Sequence, residues 1–158
     1  KKMIIEYDET KSQAALVEWW NKMNADVLSS YPLIDFSTID KNFKMKTCVD
    51  IGANIGCFSY LAAHHFENVV TFEPSYLISL LAKMKINYEH RFNNVLIHNL
   101  AVGKNTGDVV KLRCMPHDGQ RNSGNSSTAF DNKTEEYELI STVSLETIFE
   151  LCNTDFID

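Results

Sequence analysis

The chain has 158 residues, 44% of them apolar, which is enough for one domain with its own core and ordinary for a globular protein. Its 15 basic and 21 acidic residues give a net charge of −6 with no basic stripe, so neither DNA nor an anionic membrane surface is the expected partner. No apolar run approaches the ~20 residues of a membrane span, and the opening "KKMIIEYDET" is not a signal peptide.

Residues 12–28, "SQAALVEWWNKMNADVL", put Leu16, Trp19, Trp20, Met23 and Val27 on one helical stripe. That predicts a helix packed on a core. Tyr31-Pro32 ends it, and 33–45 is expected to be a connector with a short helix. Residues 1–44 are thus read as a helical extension, and 45–158 as the main domain.

At residue 45 the rhythm changes. "MKTCVDI" (45–51) reads as a buried strand. "IGCFSYLAAHHF" (55–66) predicts a helix with Ile55, Phe58, Leu61, Ala62, His65 and Phe66 on one face. "NVVTFE" (68–73) predicts a strand, 75–90 a helix, and "NVLIHNLAV" (94–102) a strand. This β-α-β-α-β order is the signature of a parallel sheet covered by helices. "GDVVKLRCM" (107–115) and "EYELISTVSL" (136–145) then predict strands in antiparallel style. A polar loop at 116–134 separates them, and "SLETIFELC" (144–152) predicts a helix with Ser144 at its N-cap.

Four cysteines, Cys48, Cys57, Cys114 and Cys152, show no C-x-x-C spacing. They are expected to be reduced thiols in a cytoplasmic protein. The five histidines do not fall at ligand spacing, so no metal is expected. His64, His65 and His98 read as structural, and the His117-Asp118 pair is the one candidate proton acceptor. The sequons at Asn125 and Asn132 are expected to be unmodified.

The chemistry concentrates in "VDIGANIGCFSYLAAHHFENVVTFEPS" (49–75). A parallel strand followed at once by a helix delivers its turn to the carboxyl edge of the sheet, where open α/β sheets bind ligands. Gly52 and Gly56 permit positive φ and let a ligand approach the backbone. The helix beginning near Gly56 is expected to favour an anionic group at its N-terminus. About 11 helical residues carry the chain ~16 Å away from the edge, and five or six strand residues return it ~18 Å. Glu73 is therefore expected beside the glycine turn, where a carboxylate can accept hydrogen bonds from both hydroxyls of a ribose.

A dinucleotide fingerprint starting at Gly52 would need glycines where Asn54 and Cys57 stand. "VDIGANIG" instead resembles the first motif of class I S-adenosylmethionine-dependent methyltransferases. "DIGANIGCFSYLAA", "VVTFEPS" and "NLAVGKNTGDV" are similar to the FkbM type of that family, over roughly 46–110. The resemblance implies a Rossmann-like sheet with flanking helices and S-adenosyl-L-methionine as cofactor. Asp50, Gly52, Ala53, Asn54 and Gly56 would line its methionine end and Glu73 its ribose. Asn99 and the backbone near Leu100 would approach the adenine. The Ser126-Ser127 pair matches a serine-bearing stretch of the family. The implied reaction is O-methylation of a sugar (glycan) or small-molecule hydroxyl. Rival readings are a class I methyltransferase acting on nitrogen, protein or RNA, and a non-catalytic nucleoside-binding module. Neither the catalytic base nor the oligomeric state can be read from the residues. The family fold continues past a segment like "TDFID" into a further strand, whereas the sequence stops at Asp158. The domain is therefore expected to be incomplete at its C-terminus, leaving the 45–51 strand with an open edge.

Overall fold

A computed structural model describes residues 45–113 and 137–152. The expectations for 1–44, Cys114, His117-Asp118, the 116–134 loop with Ser126-Ser127, the two sequons and the "TDFID" end lie outside the described residues.

Among the described residues, six strands and three α-helices follow in order: β1 (Met45–Ile51), α1 (Cys57–Ala62), β2 (Phe66–Phe72), α2 (Tyr76–Lys83), β3 (Val95–His98), β4 (Ala101–Gly103), β5 (Val109–Arg113), β6 (Tyr137–Ser144) and α3 (Leu145–Cys152). The first sheet has the order β1-β2-β3, all parallel. This is a mixed α/β architecture with a parallel sheet and flanking helices. Among the described residues β1 pairs with β2 alone. The second sheet has the order β4-β6-β5, with β4 parallel and β5 antiparallel to β6.

The register explains which residues are buried. Cys48 pairs with Val69 and Asp50 with Thr71, so these four share one face of the sheet. Ser59 of α1 meets that face through hydrogen bonds to Asp50 and Thr71. Val49, Val70 and Phe72 point to the other face. There Phe72 packs with Val143 of β6 and Ile148 of α3, joined by Leu100 and Val102. Ala101, Leu112 and Ile140 form a separate cluster within the second sheet.

Three elements depart from the sequence reading. The helix predicted over 55–66 is limited to Cys57–Ala62. Its inward residues are Cys57, Ser59 and Ala62, while Phe58 and Leu61 are only partly buried. Strand pairing wins the C-terminal part: Phe66 pairs with Met45, and the Asn94 side chain donates to the carbonyls of Ala63, at the helix C-cap, and Phe66, at the start of β2. The helix predicted over 75–90 is α-helical only to Lys83 and continues as a π-helix over Met84–Glu89. The strand predicted over 94–102 is two strands, broken at Asn99 and Leu100, where the chain leaves the first sheet for the second.

Candidate functional site

β1, β2 and β3 all end at one edge, and the segments that follow them build the site. β1 runs into a turn in which Gly52, Asn54 and Gly56 all have positive φ, at 75°, 54° and 80°. Asn tolerates this region better than most side chains do. The N–H groups of Gly52 and Ala53 both donate to the Phe72 carbonyl, at 2.8 and 3.2 Å. Gly56 N–H closes the turn on the Ala53 carbonyl at 2.9 Å. The turn is thereby tied to the end of β2.

The two glycines have different reasons to be there. Among the described residues, a Cβ on Gly52 would meet nothing within 4 Å, and Gly52 is exposed. A Cβ on Gly56 would stand 2.7 Å from Ile86 Cδ1 and 3.2 Å from Ala82 Cβ. Gly56 thus lets α1 approach the helical segment formed by α2 and its π extension. Gly52 leaves open space over the turn. The helix expected to begin near Gly56 does so, with Gly56 at its N-cap and Cys57 as its first residue.

Glu73 stands beside this turn, as the spacing predicts. Its side chain is buried, 7% exposed. Oε2 accepts from Asn54 N–H at 2.8 Å, and Oε1 from Ser75 N–H at 2.9 Å. Each carboxylate oxygen has two lone pairs, so one acceptor position remains on each. Burial raises its pKa above the usual carboxylate value. The two main-chain donors oppose that shift, and the charges of Asp50 and Glu138 add to it.

Asp50, at the end of β1, accepts from Ser59 Oγ at 2.6 Å, and that hydroxyl is 2.7 Å from Thr71 Oγ1. Burial raises the Asp50 pKa, and the hydrogen bonds from Ser59 partly offset the rise. Cys57 is pushed up to about 12, first by burial and then by the Asp50 charge. It is a packing thiol, as is buried Cys48.

Asn99 donates through Nδ2 to the carbonyls of Glu73 and Pro74, at 3.1 and 2.7 Å. Glu73 N–H in turn donates to the His98 carbonyl at 3.0 Å. The Leu100 side chain belongs to the core around Phe72. The His98 ring stacks on Phe72, 5.3 Å between centroids. Its pKa is lowered by burial and then by the charge of Lys83. His64 lies just past the end of α1, edge-on to Tyr60 and Phe92.

The structure therefore brings Asp50, Gly52, Ala53, Asn54, Glu73 and Asn99 to one edge. Gly56 adjoins them but serves helix packing, and Leu100 has its side chain in the core. Ser59, Thr71, Ser75 and Glu138 escaped the sequence reading. Glu138 had a usable signal: it shares strand parity with buried Ile140, Thr142 and Ser144, and a charge at such a position asks for a partner. Among the described residues no three His, Cys, Asp or Glu side chains group to hold a metal ion, and no helix is long and apolar enough to cross a membrane.

No protein-family model and no curated protein matches the chain. Among solved structures it is similar to the crystal structure of methyltransferase FkbM from Methylobacillus flagellatus KT, with 19% identity and a TM-score of 0.40. That likeness covers 73% of this chain and 26% of the other. This chain thus spans about a quarter of the other protein's length, and the overlap is too loose to carry a functional argument.

Proposed function

We propose that the chain binds S-adenosylmethionine and belongs to an enzyme that methylates a hydroxyl on a sugar or small molecule. The observation that carries this reading is the Glu73 carboxylate. It is fixed by two main-chain donors beside an open glycine turn, at the carboxyl edge of a parallel sheet, with one acceptor position left on each oxygen. A ribose presents two adjacent hydroxyl donors, and this acceptor pair suits them. The open space over Gly52 leaves room for a ligand to lie against the backbone. The motif "VDIGANIG" favours the methionine-bearing nucleoside over a dinucleotide, because two of the three fingerprint glycines are absent.

When bound, S-adenosylmethionine would supply a methyl group on a positively charged sulfur, open to attack by an acceptor oxygen in line with the leaving sulfur. The chain's own residues would hold and orient it. Glu73 would take the ribose, and Gly52 to Asn54 would line the methionine end, where Asp50 would add negative charge. Asn99 and the backbone at Leu100 would border the adenine.

Calorimetric titration of the purified chain with S-adenosylmethionine, its demethylated product and NAD tests the reading. Binding of the first two is expected, with NAD much weaker. Preference for NAD would overturn it.

A further inference from the structure

We propose that Glu138 is a positioning residue for the nucleoside site, holding Glu73 in place from the second sheet through Ser75 and the start of α2. The inference rests on the nucleoside reading above and adds a residue to that site. Its basis is a continuous set of contacts. Glu138 Oε2 accepts from Tyr76 N–H at 2.9 Å, and Oε1 from Ser75 Oγ at 3.3 Å. These contacts bridge 62 and 63 positions of sequence. Ser75 N–H donates to Glu73 Oε1. Glu73 Oε2 accepts from Asn54 on the glycine turn. One of the two donors that aim the ribose acceptor, Ser75 N–H, thus belongs to a residue held by a side chain on a strand outside the parallel sheet. Glu138 also supplies the negative charge that suits the first turn of α2, which carries no acidic residue of its own.

Charge gives the arrangement a signature that packing alone would lack. Glu73 is faced by Asp50 from β1 and by Glu138 from β6, and both charges raise its pKa. Among the described residues, His98 on β3, with Lys83 near it, and the Cys57 thiol beside Asp50 also titrate near this edge. Replacing Glu138 by Gln keeps an oxygen for Tyr76 N–H but removes the charge. The Glu73 carboxyl should then titrate at lower pH. The carboxylate form is the one that can accept from two hydroxyls, so nucleoside binding should persist to lower pH as well. Replacing Glu138 by Ala removes the hydrogen bonds too, and should weaken binding at neutral pH about fivefold to tenfold, a fraction of the roughly 10–100-fold that one lost hydrogen bond to a charged group is worth, because Glu138 acts through Ser75.

The experiment has two readouts on the 158-residue chain. Carboxyl carbon-13 NMR follows the Glu73 titration in the wild type and in E138Q. Calorimetry follows S-adenosylmethionine affinity against pH in the wild type, E138Q and E138A. A downward shift of the Glu73 midpoint in E138Q, a matching shift of the binding profile and weaker binding by E138A would support the proposal. An unmoved midpoint with unchanged affinity in both variants, while the wild type binds, would overturn it and leave the functional reading standing. A wild type that binds no nucleoside would overturn both, whatever the NMR midpoint does.

Discussion

Gly52 and Gly56 look alike in the sequence and share positive φ, but a methyl group would meet different surroundings at each. At Gly56 the strain of positive φ adds to a clash with Ile86 and Ala82. G56A is expected to cost about 1–3 kcal/mol of stability, in the range of overpacked sites. Ile86→Val removes the nearest atom, so G56A/I86V should recover part of the loss in urea unfolding. At Gly52 only the backbone strain remains, about 1–2 kcal/mol, while any ligand lying over the turn would meet the new methyl. G52A should therefore lose more nucleoside affinity than stability. The opposite ordering for the two variants would mean that the open side of the turn has been wrongly identified. Sequence alone could place both glycines in a turn after a strand, because that needs only the apolar run and the spacing. It could not assign Gly56 to helix packing, because Ala82 and Ile86 lie 26 and 30 positions further on. The same limit hid the engagement of Glu73 by Asn54 and Ser75: a main-chain donor carries no residue signature.

At the scale of elements, the strands were readable where one face is buried. The bounds of β1 match the reading, and β5 and β6 pair antiparallel as expected. The break between β3 and β4 was not readable, because "NVLIHNLAV" is apolar across it. What marks the break is Asn99, whose amide nitrogen holds the Glu73 and Pro74 carbonyls. N99A should lose both bonds and leave two partly buried acceptors poorly satisfied. We expect a loss of about 1–3 kcal/mol, read by urea unfolding. N99D should be at least as destabilised, because an ionised carboxylate cannot donate to a carbonyl. Wild-type stability in both variants would show that Asn99 holds nothing. The end of α1 failed to announce itself for a related reason. "AAHHF" continues the helical period, but the sheet takes Phe66, and Asn94 serves the Ala63 and Phe66 carbonyls.

For the molecule as a whole, the site stores acid-labile strain of a definite sign. Asp50 and Glu73 both have pKa values above those of the unfolded chain. The folded state therefore binds more protons than the unfolded one between the ordinary carboxylate range and the raised values. Their contribution to stability is fully present below that range and is lost as pH rises through the raised values. His98, with its pKa lowered, acts oppositely: it adds stability as pH rises toward the ordinary imidazole value. Comparing D50N with the wild type cancels the His98 contribution. Asn can still accept from Ser59, so D50N should be more stable than the wild type at neutral pH. The gap should close on acidification, followed by urea unfolding at a series of pH values. A gap that is constant with pH would show that Asp50 ionisation costs the fold nothing.

The passage from β3 to β4 has a consequence for how the molecule breathes. Two residues join the strands, so the three Cα steps from His98 to Ala101 span at most ~11 Å when fully extended, and neither sheet can draw far from the other without breaking pairing. Phe72 of the first sheet and Val143 of the second also share one core. The sheets are therefore expected to open as one foldon rather than two. Native-state hydrogen exchange is expected to release the amide protons deep in β2 and β6 by the same rare event, at the full free energy of unfolding; markedly different exchange free energies for the two strands would overturn this.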